Sequence, residues 1–318
     1  MTASCGDERL AARLRALLGP GIAAAAVVGP GGVTTASLGT GLEADFEIGS
    51  ISKGLSGLLY AEAIARGEID AATTLGELLP LGAAPVGRVT LRSLTAHRSG
   101  LPSLPASARP LRRSIALWRN GTNPYGESLD QLLDQAREVR PGKPRPRYSN
   151  LGFELLGHSL AAAADTGYAA LLQDRIATPL GLDCYAPATP ADLRPGALTG
   201  TSRRGRPRQA WTGEAVAPAG GIRASITAMA RLTQALLDGT APGIRALDPL
   251  EPFGTGARIG AAWITVRVKG RTVTWHNGAT GGFRSWLGLD RESGTGAVIL
   301  SATSAPVDRH GFALLTRA

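Results

Sequence analysis

Runs with strand character occupy only the two ends of this chain. Ile22 to Val28 and Val33 to Leu38 read as strands joined by the turn Gly29-Pro30-Gly31-Gly32, and the next such runs are Ile259 to Val268, Arg271 to Trp275, Phe283 to Leu289 and Ala297 to Ser301. From about Thr74 to Gln209 the pattern is turns and short helices, including Leu129 to Val139 and Leu151 to Ala162, with a break at Arg140-Pro141-Gly142-Lys143-Pro144. A sheet face must be covered, so strands far apart in sequence are expected to meet in one α/β lobe with the helical middle packed beside it. The predicted division is residues 1–78 with 210–318 for that discontinuous lobe, 79–209 for a mainly helical lobe, and a site in the cleft between them. Further helices are predicted from Asp7 to Leu18, stopped by Gly19-Pro20-Gly21, from Ser50 to about Ala65, and from Val307 to Leu315.

Composition narrows the function classes. A chain of 318 residues with 43% hydrophobic content buries a substantial core. The net charge of +9 is spread along the chain without an aromatic-basic tract, so nucleic-acid binding is not expected. The densest basic patch, Arg203, Arg204, Arg206 and Arg208, reads as a solvated loop. Cys5 and Cys184 are expected to be unpaired thiols, and His97, His158, His276 and His310 lack a short zinc-binding spacing, so neither metal nor other cofactor is expected. No apolar segment is long enough for a membrane span, and charged residues precede the first apolar run. A cytoplasmic location is therefore expected, or a secreted one if a leader has been removed. Oligomeric state is left open.

The chemistry concentrates in three short runs. In Phe46-Glu47-Ile48-Gly49-Ser50-Ile51-Ser52-Lys53, a serine at the start of a predicted helix precedes by one turn one of only three lysines in the chain. Tyr148-Ser149-Asn150 stands just before a helix anchored by Phe153, Leu155 and Leu156, offering a phenolic proton relay and an orienting amide. His276-Asn277-Gly278 follows a strand, where the amide of Ala279 is placed to pair with that of Ser50 as an oxyanion hole. Each run alone is weak; the three in this order are specific.

Together they resemble the serine β-lactamase and penicillin-binding-protein superfamily, in the branch of class C β-lactamases, D-alanyl-D-alanine carboxypeptidases and related esterases. The S-x-x-K, Y-x-N and K/H-x-G motifs fall on Ser50/Lys53, Tyr148/Asn150 and His276/Gly278, and the resemblance spans roughly residues 7–318. It implies a β-lactamase-like antiparallel sheet flanked by helices, with the helical lobe inserted. It also likens Leu94 to Pro102 to the family's turn after the first helical-lobe segment, with His97 a structural hydrogen bonder, and Ala219-Gly220-Gly221-Ile222 to its return to the α/β lobe. Two departures stand out: His276 where class C β-lactamases usually carry lysine, and Asn277 in place of a frequent hydroxyl residue.

The resemblance implies acyl transfer, with Ser50 as nucleophile, Lys53 and Tyr148 moving the proton, the amides of Ser50 and Ala279 holding the oxyanion, and Asn150, His276, Asn277 and Gly278 contacting substrate. Either Lys53 acts neutral as the base or Tyr148 does so beside a charged Lys53. The expected substrate is a small-molecule ester or amide, with an ester favoured. D-amino-acid peptide cleavage or transfer, β-lactam hydrolysis and non-catalytic small-molecule binding are the alternatives. The acyl pocket is expected to be shaped by loops around Leu101 to Asn123 and Pro187 to Gly221, with Trp211 a candidate lining residue and Trp275 and Trp286 in the core.

Overall fold

The computed structural model describes residues 3–104 and 110–316, so residues 105–109 of the loop expected to shape the acyl pocket and the extreme ends of the outer lobe lie outside the described residues. The chain opens with a short strand β1 (Ser4–Gly6) and helix α1 (Glu8–Leu18), whose start is capped by the Asp7 carboxylate accepting from the Leu10 amide. The hairpin β2 (Ala23–Gly29) and β3 (Gly32–Leu38) follows, then β4 (Phe46–Glu47) and α2 (Ile51–Ala65). The middle of the chain is helical: α3 (Leu75–Leu78), α4 (Leu91–Thr95), α5 (Pro110–Asn120), α6 (Leu129–Arg137), α7 (Asn150–Ala163), α8 (Tyr168–Leu172) and α9 (Thr178–Leu180). It returns through β5 (Cys184–Tyr185), α10 (Ala217–Gly220), β6 (Arg223–Ala224) and α11 (Ile226–Asp238). The strands β7 (Glu251–Pro252), β8 (Ala257–Ile259), β9 (Ile264–Val268), β10 (Arg271–Ala279), β11 (Arg284–Asp290) and β12 (Thr295–Ser301) lead to the closing helix α12 (Asp308–Thr316).

The sheet joins both ends of the chain, in the order β1-β3-β2-β12-β11-β10-β9-β8-β7, with every neighbouring pair antiparallel. The small sheet β4-β6-β5 ties the start of α2 to the returning chain. Side-chain alternation splits the large sheet into two buried layers. Ala24, Ala26, Leu287, Leu289, Val298 and Leu300 join the core shared with α2, α7 and α11. Ala23, Ala25, Val273, Trp286, Ala297 and Ile299 pack on the opposite face, against α1 and α12. The architecture is the expected α/β one, an antiparallel sheet flanked by helices with a mostly helical lobe between β4 and β6.

Two strand boundaries differ from the sequence reading. The run Ile259 to Val268 is broken between β8 and β9 by a turn in which the Gly260 amide donates to the Trp263 carbonyl and Ala262 takes a φ of 72°. The strand beginning at Arg271 does not end at Trp275 but continues to Ala279, because β11 pairs with it in register through Ala279 opposite Arg284. Among the described residues no helix is long and apolar enough to cross a membrane.

Candidate active site

Ser50 stands at the entrance of α2 in a helical conformation, and its side chain makes no capping hydrogen bond. Its hydroxyl instead accepts from Lys53 Nζ at 3.1 Å, as an i, i+3 pair on one helix face allows. Lys53 is fully buried, and its Nζ also donates to the Ala219 carbonyl at 2.5 Å, so α10 holds it in place. Nearby hydroxyls have structural partners: Ser52 Oγ accepts from the Ile222 amide, and Ser56 Oγ donates to the Pro218 carbonyl.

The end of β10 lies directly against the turn before Ser50. Gly49 has a φ of +52°, and a Cβ there would stand 2.6 Å from the Ala279 nitrogen. A Cβ on Gly278 would meet the Ile48 carbonyl oxygen at 2.0 Å. Both positions require glycine for this approach, which brings the peptide groups carrying the Ser50 and Ala279 amides side by side. Among the described residues the Ser50 amide has no hydrogen-bond acceptor.

Tyr148 packs beside Lys53 and stays partly open to solvent. Its ring lies 4.9 Å from Lys53 Nζ and 4.4 Å from the His97 ring, while 38% of the residue remains exposed. His97 takes a φ of 54° and accepts from the Ser149 amide through Nδ1 at 3.2 Å, which orients the Tyr148-Ser149-Asn150 segment. Burial, followed by the charge of Lys53 and the presence of His276, pushes His97 well below its ordinary pKa, so it is neutral at pH 7. Asn150 opens α7, and its amide Nδ2 donates to the Tyr125 hydroxyl at 2.8 Å; among the described residues no hydrogen bond joins it to Lys53. The Tyr125 ring meets Trp211 at 4.6 Å between centroids.

Alternation along β10 separates the third motif. His276 and Gly278 face α2, whereas Asn277 turns to the opposite face and donates to the Asp308 carboxylate at the start of α12, at 2.6 Å. Asn277 therefore lies outside the group formed by Ser50, Lys53, Tyr148, His276 and Ala279. His276 is pushed down to about 4, first by burial and then by the charge of Lys53. The neutral ring donates from Nδ1 to the Asn277 carbonyl at 2.7 Å, which leaves Nε2 as a buried acceptor without a partner.

Two features escaped the sequence reading. Tyr125 supports Asn150 from a loop whose position depends on tertiary packing. Glu154, one turn beyond Asn150 on α7, is buried with its Oε1 unpartnered. Burial raises Glu154 to about 8, against the opposing charge of Lys53, with Glu127 raising it further and Arg113 lowering it. The single acidic residue of the helix, four residues after Asn150, was the available signal.

On the other side of Ser50, fully buried Arg223 binds Asp45 at 2.9 Å and Glu47 at 3.1 Å. Burial alone raises Asp45, but hydrogen bonds from Arg223 and Tyr185 and the charge of Arg223 outweigh it and hold this acid below its usual range. Glu47 is raised by burial despite Arg223. This cluster fixes the strand that delivers Ser50. The described residues contain no group of three or more His, Cys, Asp or Glu able to hold a metal ion.

Comparison with known proteins identifies relatives of this fold. The octameric penicillin-binding protein homologue from Pyrococcus abyssi superposes with a TM-score of 0.82 at 20% identity, covering 96% of this chain and 75% of that one. A β-lactamase/D-alanine carboxypeptidase from Pseudomonas syringae gives 0.79 at 18% identity, covering 95% and 94%. In sequence, a β-lactamase-like protein of Arthroderma benhamiae is 24% identical over 320 residues, 87% of this chain and 51% of that protein. The D-alanyl-D-alanine-carboxypeptidase/endopeptidase AmpH of Escherichia coli is 29% identical over 147 residues, 44% of this chain and 36% of its own. The chain thus spans about half or less of the length of the curated relatives it matches. The Beta-lactamase family model matches residues 10–317, and the chain belongs to that family.

Proposed function

We propose that the protein is a serine hydrolase that cleaves small, uncharged esters through a Ser50 acyl-enzyme. Ser50 Oγ attacks the carbonyl carbon and its proton passes into the Lys53/Tyr148 pair. The amides of Ser50 and Ala279 hold the tetrahedral oxyanion, and the proton is returned to the leaving alcohol. Water then attacks the acyl-enzyme by the same proton route and releases the acid. The Lys53 contact with Ser50 Oγ supports Ser50 as the nucleophile.

The observation that carries the ester preference is the absence of a cation at the third motif. His276 is neutral with its Nδ1 proton bound to the Asn277 carbonyl, and the Asn277 side chain is held by Asp308. Neither offers a charged donor to the terminal carboxylate of a peptide or a β-lactam. One observation favours D-amino-acid peptide cleavage as a second reading: Arg284, opposite Ala279 in register, brings a guanidinium to this end of β10. Its NH1 is bound to the Thr280 and Phe283 carbonyls.

Relative kcat/KM for a short-chain aryl ester and a D-Ala-D-Ala-terminated peptide separates the two. The ester is expected to turn over faster and to be insensitive to Arg284→Gln. Selective turnover of the peptide, lost on Arg284→Gln, contradicts the ester assignment and supports the second reading. Hydrolysis undiminished by Ser50→Ala contradicts both.

A further inference from the structure

Helix α5 presents an apolar stripe to solvent. Leu111, Ile115 and Trp118, spaced i, i+4 and i+7, are 76%, 50% and 85% exposed. The other exposed large hydrophobic side chains among the described residues, Val33, Ile64, Tyr148 and Leu250, are scattered singly. The stripe is not the face by which α5 is attached. That side carries Arg113, which bonds to the Pro124 carbonyl and pairs with Glu127, and Leu117, which lies against Gly281.

The charge around the stripe has one sign. Arg112 and Arg119 lie along one shoulder of it, both exposed and without an ion pair among the described residues, and α5 contains no acidic residue. The loop holding Arg203, Arg204 and Arg206, all exposed, is fastened to the end of the same helix. Arg208 donates to the Leu117 carbonyl at 2.7 Å, and the Gln209 amide donates to the Gly121 carbonyl. The predicted solvated basic loop and the apolar stripe are thus parts of one surface.

We propose that α5 docks the protein on an anionic lipid bilayer. Leu111, Ile115 and Trp118 enter the boundary between headgroups and acyl chains, and Arg112, Arg119 and the loop arginines meet the lipid phosphates. A second copy of the chain fits this face less well. Two-fold pairing of the stripe would bring Arg112 and Arg119 of both copies together with no acid on α5 to offset them. Docking would also place the cleft close to the bilayer, since Leu117, on the inner side of α5, touches the loop that follows β10.

The test is flotation of the full chain with vesicles of phosphatidylcholine alone and of phosphatidylcholine with phosphatidylglycerol. Circular dichroism melts of each variant would establish that it is folded. Binding is expected only to the phosphatidylglycerol vesicles and should weaken as salt is added. Ile115→Ser combined with Trp118→Ser should lower partitioning roughly tenfold or more. Arg112→Gln combined with Arg119→Gln should lower it roughly 25-fold. Equal binding to neutral vesicles, no binding to either, or undiminished binding by the folded serine variant would overturn the proposal. So would dimers in vesicle-free sedimentation that the serine variant abolishes, which would make a second copy the occupant.

Discussion

Two clusters of buried charge flank Ser50, and they are built on opposite principles. Upstream, Arg223 is matched by Asp45 and Glu47 and also donates to the Leu198 carbonyl, and Glu47 Oε2 is the one carboxyl oxygen of this cluster without a hydrogen-bond partner among the described residues. Downstream, Lys53 is equally buried, but its neighbours are two neutral histidines and an acid, each with a ring nitrogen or carboxyl oxygen left unpartnered. Compensated charge holds the strand-to-helix elbow in one geometry. The unpartnered acid and histidines are kept neutral by burial, as the proposed proton transfer requires.

Substitution in the downstream cluster should cost the most activity. Lys53→Met should lower ester kcat/KM by about 10³-fold or more, because it removes the group bonded to Ser50 Oγ, while a thermal melt should show a folded protein. Upstream, the expected loss is of stability: Arg223→Met leaves buried Glu47 and half-buried Asp45 without their cation and should cost about 3–5 kcal/mol in urea unfolding. Comparable activity loss from the two substitutions, with no difference in stability, would erase the contrast.

Glu154 and His276 sharpen it through pH. The folded-state pKa of Glu154 is raised, so its contribution to stability is fully present below the unfolded value near 4.5 and is lost as pH rises towards about 8. Glu154→Gln should therefore matter little in acid and stabilise the protein by about 3 kcal/mol near neutrality, read from unfolding midpoints across pH. His276 behaves in the opposite sense. With a folded pKa depressed to about 4, it favours the folded state above its unfolded value near 6.5 and loses that advantage as pH falls. By about pH 5 the loss should reach about 2 kcal/mol, and His276→Gln should flatten that acid limb.

The motif residues were legible because each reports a local geometry. Ser50 and Lys53 share one helix turn, and Tyr148 and Asn150 border the start of α7. The joining of both chain ends into one sheet followed from where the strand-like runs lie. The role of Asn277 was not legible, because it depends on β10 continuing to Ala279: only a continued strand sends adjacent side chains to opposite faces. Glu154 was hidden for a related reason. Every residue from Leu151 to Leu160 on α7 is buried, so the helix has no polar face by which periodicity could show where an acid points. Trp275 and Trp286 were readable as core; they stack on each other and meet Phe312 edge-on, on the α12 side of the sheet. Tyr125 and Trp211 meet only through loop packing, which leaves no periodic trace in sequence.

Under the proposed mechanism Ser50, bonded to Lys53, is the residue that becomes acylated. Rapid-quench mass spectrometry during turnover of an aryl ester, with peptide mapping of any adduct, tests it directly. The acyl mass should appear on the peptide containing Ser50 and be absent from Ser50→Ala, with turnover lost in parallel. An acyl group on another residue, or steady turnover by Ser50→Ala, would contradict the account.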